Sequence, residues 1–190
     1  MLFYVHAPDR PGTGTALLEL AEDHWSYMDR FADRLVLRGP TLSEDGEEHT
    51  GSVHVVDVPD RAAAERFAHE EPFWRAGLYR HLTVARTAVL HHQDLLGDAD
   101  PSDVVTALVT GEWAPRPHDP AREAPAGEPD VRAGFVAVLL DDGGTRTTGI
   151  VATVRAAPAD APDAVRALAD RLAGGPVALA ARRWMRGGRS

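Results

Sequence analysis

Leu17, Leu20, Ala21, His24, Met28, Phe31 and Leu35 recur at three- and four-residue steps. That spacing predicts one helix from about Thr13 to Asp33 with these positions on a single face. Around it the pattern changes to short runs rich in β-formers. Leu2 to Ala7 is a strand, ended by the turn formers Asp9, Pro11, Gly12 and Gly14. Leu35 to Pro40 is a second strand with Pro40 as its stop, and Ser43 to His49 is a polar loop. Gly51 to Val58 alternates and is β-branched, which predicts a third strand. Asp60 is placed to cap a helix from Arg61 to about His69. A short turn follows at Pro72 to Ala76, and Tyr79 to Leu90 is a fourth strand. The order β-α-β-β-α-β over residues 1–90 is that of a ferredoxin-like α+β domain.

From His91 to Arg132 six prolines punctuate the chain, and this stretch reads as a Pro-rich linker with a short helix at Ser102 to Val109. Pattern returns over 133–187. Phe135 to Leu140 and Gly149 to Val154 are strands around a turn at Asp141 to Gly144. Ala164 to Leu172 is a helix ended by Gly174 and Gly175, and Val177 to Trp184 is a last strand. Thr148-Gly149-Ile150-Val151 echoes Thr50-Gly51-Ser52-Val53, so this β-β-α-β run reads as a degenerate second ferredoxin-like half. A sheet covered by helices on one side has a bare face with apolar side chains to bury, here Val53, Val55 and Asp57 or His54, Val56 and Val58. Self-association through that face is expected, either within the chain as a pseudo-dimeric α+β barrel or as a homodimer.

A hydrophobic fraction of 44% supports a packed core. No apolar run approaches membrane-spanning length and no signal peptide is recognised, so a cytoplasmic location is expected. There is no cysteine, hence no disulfide, thiolate metal ligand or cysteine nucleophile. All 20 basic residues are arginine, which excludes lysine Schiff-base chemistry. The net charge of −9 is spread along the chain and offers no basic face for nucleic acid.

His24 is the one polar member of the apolar helix stripe. A buried imidazole needs hydrogen-bond partners, and its pKa near neutrality suits proton transfer. A core histidine with satisfied hydrogen bonds is the plainer alternative. Competing motifs fail. Gly12-Thr13-Gly14 lacks the third glycine of a dinucleotide fingerprint, and Gly51-Ser52 lacks the second glycine of a nucleophile elbow. His91 and His92 are adjacent on a strand and point to opposite faces, and no HxxxH or HExxH occurs, so no metal is expected. His49, His69 and His118 fall in loops or at helix ends, where solvation is expected.

The words Leu2-Phe3-Tyr4-Val5, Leu37-Arg38-Gly39-Pro40, Thr50-Gly51-Ser52-Val53, Glu71-Pro72-Phe73 and Ala76-Gly77-Leu78-Tyr79, with His24 in the first helix, make residues 1–90 resemble the YciI family (YCII-related domains). The resemblance implies a ferredoxin-like fold pairing into a dimeric α+β barrel, and an active site built on a histidine and an aspartate. The histidine maps to His24. The aspartate of an Asp-Pro word maps to Glu71, one methylene longer. A basic residue common three positions before the histidine is Ala21 here. Family chemistry includes removal of HCl from chlorinated hydroxyquinols, and related barrels isomerise lactones or cyclise polyketide-type aromatics.

A carboxylate beside an imidazole fixes its tautomer and raises its basicity, so the pair can move protons without a cofactor. Trp25, Met28, Phe73 and Trp74 are candidates to line a pocket for a flat ring, with plain core packing as the alternative. Arg38 and Tyr79 are candidates to hold a developing oxyanion. The expected function is that of a cofactor-free lyase, isomerase or cyclase for a small aromatic or polyketide-like molecule, with His24 as acid/base and Glu71 as its partner. The alternative is a non-catalytic small-ligand-binding or accessory protein that keeps the fold.

Overall fold

The computed structural model describes residues 1–95, 104–123 and 130–188. The fold is α+β, and the chain divides into two compact units. Unit 1 runs from Met1 to Ala85 and takes back the C-terminal residues from Arg186; unit 2 is Arg86–Met185. Among the described residues no helix is long and apolar enough to cross a membrane.

In unit 1, β1 (Leu2–Pro8) and β2 (Leu35–Leu42) both pair antiparallel with β3 (His49–Asp57). Two of these strands run beyond their expected ends. β2 continues through Pro40 to Leu42, and β3 begins at His49 inside the expected loop. Proline stops a strand only where its missing N–H is needed in the ladder. The stripe expected to form one helix forms α1 (Gly14–Glu19) and α2 (Ala21–Asp29), followed by a single 3-10 turn at Ala32–Arg34. Leu20, at φ −98° and ψ 5°, makes the break, yet its carbonyl still accepts from the His24 amide at 3.0 Å. Apolar spacing reports which face turns inward and is silent on whether the axis is straight.

α3 (Arg61–Glu70) starts where expected, with the Asp60 side chain accepting from the Ala63 amide. The expected turn after it is a short helix, α4 (Pro72–Arg75), capped by Glu71. Phe3, Val5 and Val56 from the strands pack with Tyr27 and Met28 from α2 and with Ala64, Phe67 and Ala68 from α3. This core fixes α2 and α3 on one face of the sheet. A smaller cluster of Ala7, Leu17, Phe73, Leu78 and Tyr79 closes the end nearest α4.

β4 (Thr83–His92) crosses the unit boundary, and its residues from Arg86 pair antiparallel with β6 (Ala133–Leu140). Unit 2 also holds β5 (Thr106–Pro117), α5 (Pro120–Glu123), β7 (Arg146–Val154), α6 (Arg166–Ala173) and β8 (Leu179–Trp184). β5 corrects two expectations at once. Residues 106–117 are not linker, and the part of Ser102–Val109 that is described is not helical; Ser102 and Asp103 lie outside the described residues. The β-branched run Thr106 to Thr110 pairs with both β7 and β8, while Pro115 and Pro117 lie near the irregular end of the β5–β7 ladder. With β5, the second half is no longer short of a strand. Its order is β8–β5–β7–β6. α6 ends as expected at Gly174, whose φ of +72° suits a residue without Cβ.

Candidate active site

The site is built in unit 1 around the short link between α3 and α4. Pro72 occupies the first turn of α4, where its missing N–H costs nothing. The Glu71 carboxylate then accepts from the Trp74 amide at 2.9 Å through Oε2. Its other oxygen, Oε1, lies 2.5 Å from Nδ1 of His24. Both side chains are largely withdrawn from water, at 13% exposure for His24 and 4% for Glu71. A carboxylate at Nδ1 places the ring proton there and leaves Nε2 as the basic nitrogen. No partner for Nε2 occurs among the described residues. The His24 ring lies flat on Phe73, with centroids 4.3 Å apart and planes 2° from parallel. Phe73 meets Tyr79 edge-on at 5.9 Å.

The helix-facing side of β3 completes the surroundings. Ser52 and His54, two apart, share that face. The Tyr79 hydroxyl donates to Ser52 Oγ at 2.8 Å. Burial first, then the nearby Glu71 carboxylate, holds that hydroxyl well above the usual tyrosine range, so it stays protonated. His54 is buried against the edge of Phe67 at 5.6 Å and 6.1 Å from His24. Burial first, then the charges of His24, Arg38 and His49, pushes its pKa down to about 3, so it is a neutral imidazole.

His49 opens β3, with its Nδ1 2.6 Å from Asp9 Oδ2. It is 27% exposed and its ring meets Phe73 edge-on at 6.4 Å, which corrects the expectation of a solvated loop histidine. His118 is corrected in the same way: its Nδ1 lies 2.8 Å from the buried Glu123 carboxylate. His69 is exposed as expected.

The structure therefore brings His24, Glu71, Phe73 and Tyr79 together and leaves the other expected residues elsewhere. Trp25 is 46% exposed, because it lies one residue off the inward stripe of α2. Met28 is buried in the sheet–helix core with Phe3, Val5 and Val56. The ring of Trp74 turns to His69, 5.5 Å away, although its backbone serves the site. Arg38 reaches Asp29 at 3.6 Å, with its guanidinium against the backbone of Gly188. Sequence reasoning missed Asp9, His49, Ser52 and His54. The usable signal was the period of two on β3, which puts Thr50, Ser52 and His54 as a polar row that continues into Val56 on the same face. Among the described residues no group of three or more His, Asp or Glu side chains is arranged to hold a metal.

No curated protein matches the chain. Among solved structures, an anthrone oxidase-like protein is similar over 98% of this chain and 90% of its own, with a TM-score of 0.52 at 12% identity. A candidate monooxygenase from Lactobacillus acidophilus NCFM is similar over 97% and 93%, with a TM-score of 0.51 at 13% identity. These two likenesses concern the fold alone. The 5-chloro-2-hydroxyhydroquinone dehydrochlorinase of Burkholderia phenoliruptrix AC1100, solved with 2,5-dihydroxybenzoquinone, is 26% identical over 53% of this chain and 100% of its own, with a TM-score of 0.43. Residues 1–88 match the family model of the YCII-related domain.

Proposed function

We propose that the N-terminal domain is a cofactor-free acid/base enzyme, a lyase, isomerase or cyclase, acting on a small aromatic or polyketide-like molecule. The observation that carries this reading is the 2.5 Å contact between His24 Nδ1 and Glu71 Oε1, out of water and stacked on Phe73. Nε2 takes a proton from a phenol, enol or carbon acid, and the imidazolium that forms is stabilised by Glu71. Tyr79, kept protonated, holds Ser52 and the edge of Phe73 in place. A substrate that delocalises its own anion needs nothing further from the protein than this proton transfer and a flat seat.

A second reading has its own observation. Glu71 is also the cap of α4, so its pair with His24 could serve as a fastener in a protein that binds a ligand without turning it over. One experiment separates the two: incubation of the full chain with chlorinated hydroxyquinols, small lactones and polyketide-like enols, followed by absorbance and chloride release. The catalytic reading expects turnover that falls about 10²–10⁴-fold in His24→Ala with folding retained. Turnover unchanged in that variant overturns the catalytic reading. Binding without turnover by the unaltered protein, with a lowered melting temperature in the variant, establishes the fastener.

The same reading extends to architecture. We take each half of the chain as a ferredoxin-like unit. Support comes from unit 2, where β5-α5-β6-β7-α6-β8 with sheet order β8–β5–β7–β6 has the element order and strand order of that arrangement.

A further inference from the structure

His24–Glu71 is not the sole imidazole–carboxylate pair beside Phe73. His24 covers the face of that ring at 4.3 Å, and His49 meets its edge at 6.4 Å. His49 in turn contacts Asp9, whose side chain is only 6% exposed. Asp9 is held in place by backbone on both sides: its amide donates to Thr50 O at 3.0 Å, and it forms an antiparallel bridge with Tyr79.

The two pairs differ in one respect. Glu71 uses both oxygens, one on His24 and one on the Trp74 amide. Asp9 uses one. Its Oδ1 is buried with no hydrogen-bond partner among the described residues. A buried carboxylate oxygen without a donor is costly, and a pair serving only to fasten β1 to β3 would not need one. The missing partner is a donor, since a carboxylate oxygen can only accept.

We propose that Asp9–His49 is the second acid/base pair of the same site, and that the substrate is a flat phenol or enol whose hydroxyl donates to Asp9 Oδ1 while its far end faces His24. This rests on the catalytic reading given above. The step it allows is a tautomerisation across the ring. The Asp9–His49 pair takes the hydroxyl proton at one end, and the His24–Glu71 pair gives one to a ring carbon at the other; in the reverse direction His24 takes the carbon-bound proton. The bond breaking at the first end and the bond forming at the second are both bonds to hydrogen, so no electrons are gained or lost. The two imidazoles then return to their starting states by exchanging one proton each with solvent. One dyad alone would have to carry the same proton from end to end.

The test is acylation of the full chain by diethyl pyrocarbonate, with each histidine followed by peptide mass spectrometry, with and without tens of millimolar hydroquinone as the probe. The expected result is acylation of His24 and His49, slowed at least fivefold at both by hydroquinone, with the exposed His69 unaffected. In Asp9→Leu the acylation of His49 is expected to slow at least fivefold while that of His24 is unchanged. Asp9→Asn, which keeps the shape and one acceptor oxygen, serves if the leucine variant does not fold, and the same direction is expected. Protection of His24 without His49, or loss of Asp9 with no effect on His49, overturns the second pair and leaves the catalytic reading standing. Protection of neither histidine overturns both.

Discussion

The ring of His24 lies parallel to that of Phe73 at 4.3 Å, so one residue of α4 sets the plane in which the imidazole can work. Phe73 is 4% exposed and is packed with Ala7, Leu17, Leu78 and Tyr79. Phe73→Ala is expected to cost about 3–5 kcal/mol in urea unfolding, through loss of buried surface and the cavity left behind. Phe73→Leu retains most of that volume and should fold, yet it removes the flat seat. Turnover of any substrate found is expected to fall in Phe73→Leu with little change in melting temperature.

Glu71→Gln and Glu71→Ala should part company. Glutamine keeps an oxygen to accept from the Trp74 amide but loses the charge facing His24; alanine loses both. Alanine is therefore expected to be less stable than glutamine by about 1 kcal/mol, the usual worth of an N-cap. Both should lack turnover. Equal stability of the two variants in chemical denaturation would show that the cap is not made in solution.

His54 gives a pH signature. Its pKa is about 3 when folded, against an ordinary value of 6.5 when unfolded. Between those values the unfolded chain takes up a proton that the folded chain refuses. Stability from this residue is complete above about pH 6.5 and is lost as the pH falls toward 3. Between pH 7 and pH 5 the loss is about 2 kcal/mol. Urea unfolding at the two pH values should show it, and His54→Leu should flatten that part of the dependence.

Gly51 is pressed between neighbouring strands. A Cβ there would lie 2.8 Å from the Ala7 carbonyl oxygen and 3.1 Å from Thr41 Oγ1. Backbone cannot swing aside as a side chain would. Gly51→Ala is expected to cost about 1–3 kcal/mol as overpacking, read as a lower urea midpoint with an unchanged slope.

Much of unit 1 was legible because its signals are local. The α3 cap at Asp60, the alternation of β3 and the inward face of α2 each follow from a few neighbouring residues. The kink at Leu20 was not legible, since the stripe reads the same on a straight or a bent axis. β5 was hidden by Pro115 and Pro117, which made a strand end look like a linker. In the site, His24 stood out as a polar residue in an apolar stripe, and Glu71 followed from the Glu-Pro-Phe word. Asp9 and His49 lie 40 residues apart and come together only when β1 pairs with β3. Nothing near either residue announces the other. Trp25 was drawn in by closeness along the chain, although a helix turns adjacent residues to different faces; Met28 shares the inward face with His24 but is taken up by the core of Phe3, Val5 and Val56.

The double engagement of Glu71 ties readiness to local order. α4 is only four residues long, and its N-terminal cap is the same carboxylate that aligns His24. Fraying of that single turn would release the imidazole without disturbing the sheet. The Trp74 amide is thus a built-in gauge: its hydrogen-exchange rate reports how often the Glu71 cap opens, before any substrate is known.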